Sequence, residues 1–373
     1  MPQLHFTSDY MEGAHPTILQ ALLESNLEKT EGYGFDPYCD AAKEKIRAAC
    51  RCPHAEIYFL VGGTQTNATV IDAMLRSYQG VLCAETGHIG THEAGAIEFG
   101  GHKVLTLPHT LGKLSAETIA HAMDVYNGDA NREHTVMPGM VYLSQPTEFG
   151  TLYSLAELTA IHRVCKQHQL PLYIDGARLA YALASPENDV TLPDLAQLCD
   201  AFYIGGTKCG ALLGEAVVIP DPKLIPHFFT IIKQHGALLA KGRLLGIQFD
   251  RLFTDDLYLH IGQSAVQYAQ QIQKVLIDKG YPLLFQSPTN QIFPILDQAT
   301  YNRLSAQVSF GFWEQLDESH TATRFATSWA TTQADVQALL TILYPNHTHE
   351  KPHLCLRVFR KRRWGSFILI WSA

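Results

Sequence analysis

Between residues 56 and 219 the sequence repeats one pattern, a short apolar, β-branched run followed by a stretch with helical spacing. This alternation is the mark of a parallel sheet, because parallel neighbours need a long connection and a crossover helix supplies it. Seven runs qualify as strands: Glu56–Val61, Gly80–Ala84, Lys103–Leu107, Gly139–Ser144, Pro171–Ile174, Ala201–Ile204 and Gly214–Ile219. Helices are expected over Ala68–Ser77, Ser115–Tyr126, Ser154–His168 and Leu192–Leu198, the third opened by a Ser154/Glu157 capping box.

At 373 residues the chain has room for a major and a minor unit. The expected organisation is an N-terminal segment (1–30), a large α/β domain (31–226), connecting helices (227–280), a small C-terminal α+β domain (281–346) and a basic tail (347–373). Long helices are expected between Pro226 and Lys279. The small domain should hold strands at Gln291–Leu296 and Ala322–Trp329 and a closing helix at Thr332–Leu343.

Composition narrows the class. Charged residues are 17% of the chain, against about 25% in an average soluble domain, which argues against disorder and suggests surface covered between subunits. The formal charge of −8 offers no basic field for a phosphate backbone, so nucleic acid is not an expected partner. The balance is uneven: residues 347–373 carry six basic side chains and one acid, a net of +5, leaving −8 − 5 = −13 on the rest. Of three readings of this tail (a swapped arm, a membrane-surface patch, an extension without a role), the last is favoured. There is no basic start followed by an apolar run and no apolar stretch of spanning length, so neither secretion nor a membrane is expected. Eight scattered cysteines read as reduced thiols, and a cytoplasmic location follows.

Four polar groups fall at the carboxyl ends of expected strands, where open α/β sheets collect their ligands. Asp175-Gly-Ala-Arg178 puts a carboxylate and a guanidinium three residues apart, and Tyr203-Ile-Gly-Gly-Thr-Lys208 ends another strand with a lysine beside glycines. Burial and nearby positive charge disfavour a lysine's ammonium form and free its amine to attack a carbonyl, which suits a Schiff base. A carboxylate close by is what a pyridoxal ring needs to keep its nitrogen protonated. Val61-Gly-Gly-Thr-Gln-Thr-Asn67 allows close backbone approach before a helix, whose N-terminus favours phosphate. In Glu85-Thr-Gly-His88-Ile-Gly-Thr-His92-Glu93-Ala-Gly95, His88 is placed to lie on a conjugated ring. A competing reading gives His88, His92 and Glu93 a shared metal ion, and the 18 histidines of the chain raise the same question. The spacing lacks a third ligand of the usual kind, so no metal is expected.

Together these segments resemble the threonine aldolase and β-eliminating lyase family, pyridoxal 5'-phosphate enzymes with the aspartate aminotransferase fold. The resemblance covers most of residues 4–343. It rests on Phe6-Thr-Ser8-Asp9, Tyr33-Gly34, the Gly-Gly-Thr loop, the His-x-x-x-x-Glu-Ala-Gly segment from His88 to Gly95, Asp-Gly-Ala-Arg, Gly-Thr-Lys and Thr323-Arg324-Phe-Ala-Thr327, in that order. It implies an α/β fold with a large domain on a mostly parallel seven-stranded sheet and a smaller C-terminal α+β domain. It further implies that Lys208 carries the cofactor, Asp175 faces its ring nitrogen, His88 stacks on the ring and Arg178 lies on the phenolic-oxygen side. Gly63 and Thr64 would hold the phosphate, and Ser8 and Arg324 the substrate carboxylate. Arg243 would reach the cofactor of a neighbouring subunit in a homodimer or homotetramer.

One departure bears on the substrate. Where threonine aldolases carry a histidine after Asn-Thr, this chain reads Ser144-Gln-Pro-Thr-Glu148-Phe-Gly150, a pattern similar to the phenylserine aldolase branch. The expected reaction is retro-aldol cleavage of an L-β-hydroxy-α-amino acid to glycine and an aldehyde, with Glu148 or His88 as base. β-Elimination or transamination on the same cofactor is the alternative, and a histidine-rich metal binder the remote one.

Overall fold

A computed structural model of the chain describes residues 4–343. The basic tail, 347–373, lies outside the described residues. Twelve strands form two sheets: β1 Leu4–Phe6, β2 Glu56–Leu60, β3 Gln79–Ala84, β4 Val104–Leu107, β5 Met137–Ser144, β6 Leu172–Asp175, β7 Ala201–Gly205, β8 Glu215–Ile219, β9 Gln291–Ile292, β10 Ile295–Asp297, β11 Val308–Gln315 and β12 His320–Ala326. All seven strands expected in the first half are present. They make one sheet in the order β2-β8-β7-β6-β5-β3-β4, in which β8 alone runs antiparallel to its neighbours.

Their legibility has a physical basis. With helices on both faces, β6, β7 and β8 are buried along their whole length, so they read as continuous apolar runs. Alternate residues then divide between the two faces. Val141, Leu143, Leu172, Ile174, Phe202 and Ile204 enter one core, while Met140, Tyr142, Tyr173, Ala201 and Tyr203 enter the other. Tyr142, Tyr173 and Tyr203 therefore line one face of three adjacent strands, with neighbouring rings 6.0 and 6.4 Å apart.

Helix Leu155–Gln167 starts at Ser154 with the expected reciprocal cap, Ser154 accepting from the Glu157 amide and Glu157 from the Ser154 amide. Leu192–Leu198 also forms as expected. The helix after β2 begins at Gly63, five residues before the expected Ala68, and ends at Met74. Its first turns turn the polar Thr66, Asn67 and Thr69 inward, fully buried, which hid them from an apolar-periodicity reading. Residues 226–279 hold three helices, Phe228–Gln234, Arg243–Leu252 and the 22-residue Leu257–Asp278.

The second sheet runs β1-β11-β12-β10, with β9 also on β12. The expected strand 291–296 is split into β9 and β10, because Pro294 has no N–H to give a ladder and its carbonyl instead accepts from Thr323. The strand expected to reach Trp329 ends at Ala326; the Thr327 amide still donates to the Asn290 carbonyl and its hydroxyl to the Ala265 carbonyl. Strands β1 and β11 are additional to the expected set. β1 pairs in parallel with β11, so the start of the chain closes the C-terminal sheet and carries Ser8 and Asp9 toward the large sheet.

Candidate active site

Strands β7, β6, β5 and β3 are consecutive in the large sheet, and the segments leaving their carboxyl ends carry Lys208, Asp175 and Arg178, Glu148, and His88 respectively. Sequence positions 120 residues apart thus meet at one sheet edge because the strand order brings them there.

Asp175 is the floor of this edge. One oxygen accepts from the Tyr203 hydroxyl and the Ala177 amide (2.9 Å), the other from the Tyr142 hydroxyl (2.7 Å) and Asn67 Nδ2 (3.0 Å). These four donors match the four lone-pair directions of a carboxylate. Burial alone would raise its pKa, yet His88 and the hydrogen bonds from Tyr203, Tyr142 and Asn67 overcome that and hold it below the usual carboxylate value. Residue 176 has to be glycine, since a Cβ there would collide with the Tyr203 carbonyl of the adjoining strand.

Asn67 extends the floor to the helix Gly63–Met74. Its carbonyl accepts from the Tyr173 hydroxyl at 2.9 Å and its amide also donates to Glu93 Oε1 at 2.7 Å. The same Glu93 oxygen holds His88 Nδ1 at 2.8 Å, so the carboxylate that a metal reading assigns to a cation is a bracket for His88. No group of His, Cys, Asp and Glu fit to hold a metal ion occurs among the described residues. The helix begins with Gly62 as its cap residue, and its first amides, including those of Gly63 and Thr64, have no partner within the helix.

Arg178 turns away from Asp175 and forms a two-pronged pair with Asp9, Nε at 2.6 Å and Nη2 at 3.0 Å, while Asn290 adds a bond of 2.9 Å to the same aspartate. Asp9 is fully buried; burial pushes its pKa up, but Arg178 and Lys208 with the Arg178 and Asn290 hydrogen bonds bring it down to about 2. Lys208 beside it is half-buried. Burial and the Arg178 charge push its pKa below the ordinary lysine value, against a smaller pull from Asp9, Asp175 and Glu215. Its Nζ lies 5.7 Å from the centre of the Tyr10 ring.

Glu148 Oε1 accepts from the His88 backbone amide at 3.0 Å and the Ser144 hydroxyl at 2.7 Å, and burial raises its pKa. Beyond it, Phe149 packs against Phe285 and Trp313, with ring centres 5.4 and 5.2 Å away. From the second sheet, Arg324 reaches the Thr7 carbonyl at 3.2 Å and Gln291 at 3.3 Å, next to Ser8, whose buried hydroxyl has no protein partner. Arg243 is bound elsewhere, to the carbonyls of Glu28 (2.8 Å) and Asn26 (3.1 Å).

Several groups of the site had no assigned role in the sequence. Glu215, at the start of β8, accepts from the Gly206 amide at 3.0 Å, and burial raises its pKa to about 8. Asp9 and the three tyrosines are the others. A tyrosine at the same alternate position of three successive strands was the one signal available for the latter.

The residues present fit a pyridoxal phosphate group. Amides with no partner inside the helix open it at Gly63 for the phosphate, a fixed negative charge stands at Asp175, and a lysine with a depressed pKa lies within its field. The orphaned Ser8 and Thr66 hydroxyls supply polar capacity that no protein group takes up.

The chain is similar in sequence and in fold to known proteins. Residues 5–299 match the sequence profile of the family described as beta-eliminating lyase. The low specificity L-threonine aldolase of Pseudomonas aeruginosa is 32% identical over 329 residues, covering 87% of this chain and 93% of the relative. That of a Pseudomonas species is 30% identical, with 90% and 95% covered. Among solved structures, the threonine aldolase of Leishmania major superposes with a TM-score of 0.88 at 41% identity, covering 91% of this chain and 98% of that one. An aspartate aminotransferase variant from Thermus thermophilus, 14% identical with a TM-score of 0.68 and 91% of each chain covered, shares the fold.

Proposed function

The chain belongs to the beta-eliminating lyase family, and from that premise we propose that it cleaves L-β-hydroxy-α-amino acids of the threonine, allo-threonine or phenylserine type to glycine and an aldehyde, using pyridoxal 5'-phosphate. The observation that carries this reading is the meeting of Lys208, Asp175, Arg178 and His88 at one sheet edge, opposite an arginine and a serine hydroxyl with binding capacity to spare.

The roles follow from the chemistry of each group. Lys208, whose ammonium form is disfavoured, carries the cofactor. Gly63 and Thr64 hold its phosphate at the helix N-terminus. Asp175, held ionised with the Tyr142 and Tyr203 hydroxyls as donors, would supply the negative charge that keeps the ring nitrogen protonated. His88, braced by Glu93, covers the ring, and Arg178, fixed by Asp9, sits on the phenolic-oxygen side. When bound, the cofactor supplies an acceptor for the electron pair left on Cα.

Arg324 and Ser8 clamp the substrate carboxylate and so decide which bond at Cα is aligned for cleavage. A base must take the β-hydroxyl proton; Glu148 and His88 are the groups the sequence offers. The Phe149, Phe285 and Trp313 cluster beside Glu148 favours bulky, aromatic side chains. Arg243 is assigned to the cofactor of a neighbouring subunit. A homodimer or homotetramer is supported by the exposed Leu19, Leu23 and Leu27 of the N-terminal segment. The cysteines among the described residues are free thiols, and no helix among those residues is long and apolar enough to cross a membrane, in keeping with a cytoplasmic enzyme.

The test is incubation of the cofactor-loaded protein with L-threonine, L-allo-threonine and L-phenylserine, with products quantified. Glycine and aldehyde in equal amounts are expected, with phenylserine cleaved fastest. An oxo acid with ammonia would instead support elimination and overturn the aldol reading.

A further inference from the structure

On the aldol reading, on which this inference rests, we propose that His92 is the base that removes the proton from the substrate's β-hydroxyl, acting through Nε2.

The tautomer is set by its neighbour. The Thr91 hydroxyl lies 3.1 Å from the Gly87 carbonyl, to which it can only donate. A hydroxyl has one proton, so at the 2.7 Å contact between Thr91 Oγ1 and His92 Nδ1 the ring is the donor. The neutral imidazole then carries its proton on Nδ1 and presents a bare lone pair at Nε2. Desolvation and then the charges of His88 and Arg324 push its pKa below the usual histidine value, which favours the neutral ring near pH 7.

Its position suits the task. The His92 ring is centred 5.7 Å from that of His88, with planes 25° apart, and lies within the field of Arg324. It therefore stands among the group assigned to cover the cofactor and the group assigned to clamp the carboxylate. The titratable neighbours are His88 and Glu93 on its own segment and Arg324 from β12. Of the other two candidates, Glu148 already accepts two hydrogen bonds on Oε1, and burial favours its neutral acid form, which is a poor base. His88 is tied through Nδ1 to Glu93 as the ring cover.

In the step, Nε2 takes the hydroxyl proton and the O–H electron pair becomes the second bond of the aldehyde carbonyl. The Cα–Cβ bond breaks, its electron pair stays on Cα, where the cofactor's acceptor chemistry would hold it, and a proton taken up from solvent at Cα then gives glycine. The imidazolium returns its proton to solvent, to which the exposed His92 is open.

The experiment compares wild type with His92→Asn and His92→Gln, each loaded with cofactor. Three readouts are taken: kcat/KM for L-phenylserine against pH, exchange of the glycine α-proton into D2O, and the visible absorbance of bound cofactor with and without glycine. Glycine has no β-hydroxyl, so its exchange bypasses the proposed base. Cleavage should fall by about 10²–10⁴-fold and lose its acidic limb, while exchange and absorbance stay at wild-type levels. Cleavage within threefold of wild type, or an equal loss of glycine exchange, overturns the role given to His92. A wild type that exchanges glycine yet cleaves no β-hydroxy amino acid overturns the aldol reading itself, and the wild-type data alone distinguish that failure.

Discussion

The two walls of the site are finished to different degrees. On the large sheet, Asp175 has a donor for each lone pair, and Arg178 is locked onto Asp9 by two bonds. On the small sheet, Arg324 uses two of its five N–H groups, at 3.2 and 3.3 Å, and the Ser8 hydroxyl has no protein partner. A group whose polar atoms are satisfied by protein is held in place before anything binds, whereas unspent donors are capacity for a ligand. The large-sheet wall is thus built to fix a resident group and the small-sheet wall to receive a transient one. Changes in the first should cost stability and catalysis together, and changes in the second substrate affinity alone.

The largest effect is expected from Asp9→Ala, which leaves the Arg178 guanidinium buried without its partner. Urea denaturation should show a loss of about 3–5 kcal/mol; a loss under about 1 kcal/mol would break the comparison. The wild-type pair also predicts a pH dependence. Asp9 titrates at about 2 in the folded chain and near 3.9 when unfolded, so its contribution of roughly 2 kcal/mol is complete above about pH 4 and lost as pH falls towards 2. Stability curves of wild type and variant should converge over that window.

Asp175→Asn keeps the size of the side chain but removes the charge. It should lower kcat about 10²–10³-fold, in the range found for losing one preorganised electrostatic group, with a weaker effect on KM. A normal kcat would mean that the ring nitrogen has another partner. Arg324→Lys replaces a planar fork by a point charge and should raise KM for the amino acid about 10–100-fold, leaving the unfolding midpoint unchanged. An unfolding shift comparable to that of Asp9→Ala would place both walls in one class.

Arg243→Ala should have the smallest effect on the fold, under about 1 kcal/mol, since it removes only exposed bonds to Glu28 and Asn26. If it reaches a neighbour's cofactor, its dissociation constant for the cofactor should still rise several-fold. An unchanged constant removes Arg243 from the site.

The large sheet was legible because burial on both faces writes continuous apolar runs into the sequence, and the Ser154 cap because it is local. The helix start at Gly63 was not, since Thr66 and Asn67 are buried for their hydrogen bonds and carry no apolar signal. β1 was missed because three residues paired with a strand 300 positions away leave no local trace. The site divides in the same way. Residues in motifs, such as Lys208, Asp175 and His88, could be named from the sequence. Their supports could not, because Asp9–Asn290 and Asn67–Asp175 contacts join positions 281 and 108 residues apart.

The most direct test of the account is to reduce the cofactor-loaded protein with borohydride and map the fixed group by peptide mass. Attachment at Lys208, with the Lys208→Ala protein taking no label and cleaving no substrate, is the predicted result. Attachment at another lysine, or full cleavage by Lys208→Ala, would contradict it.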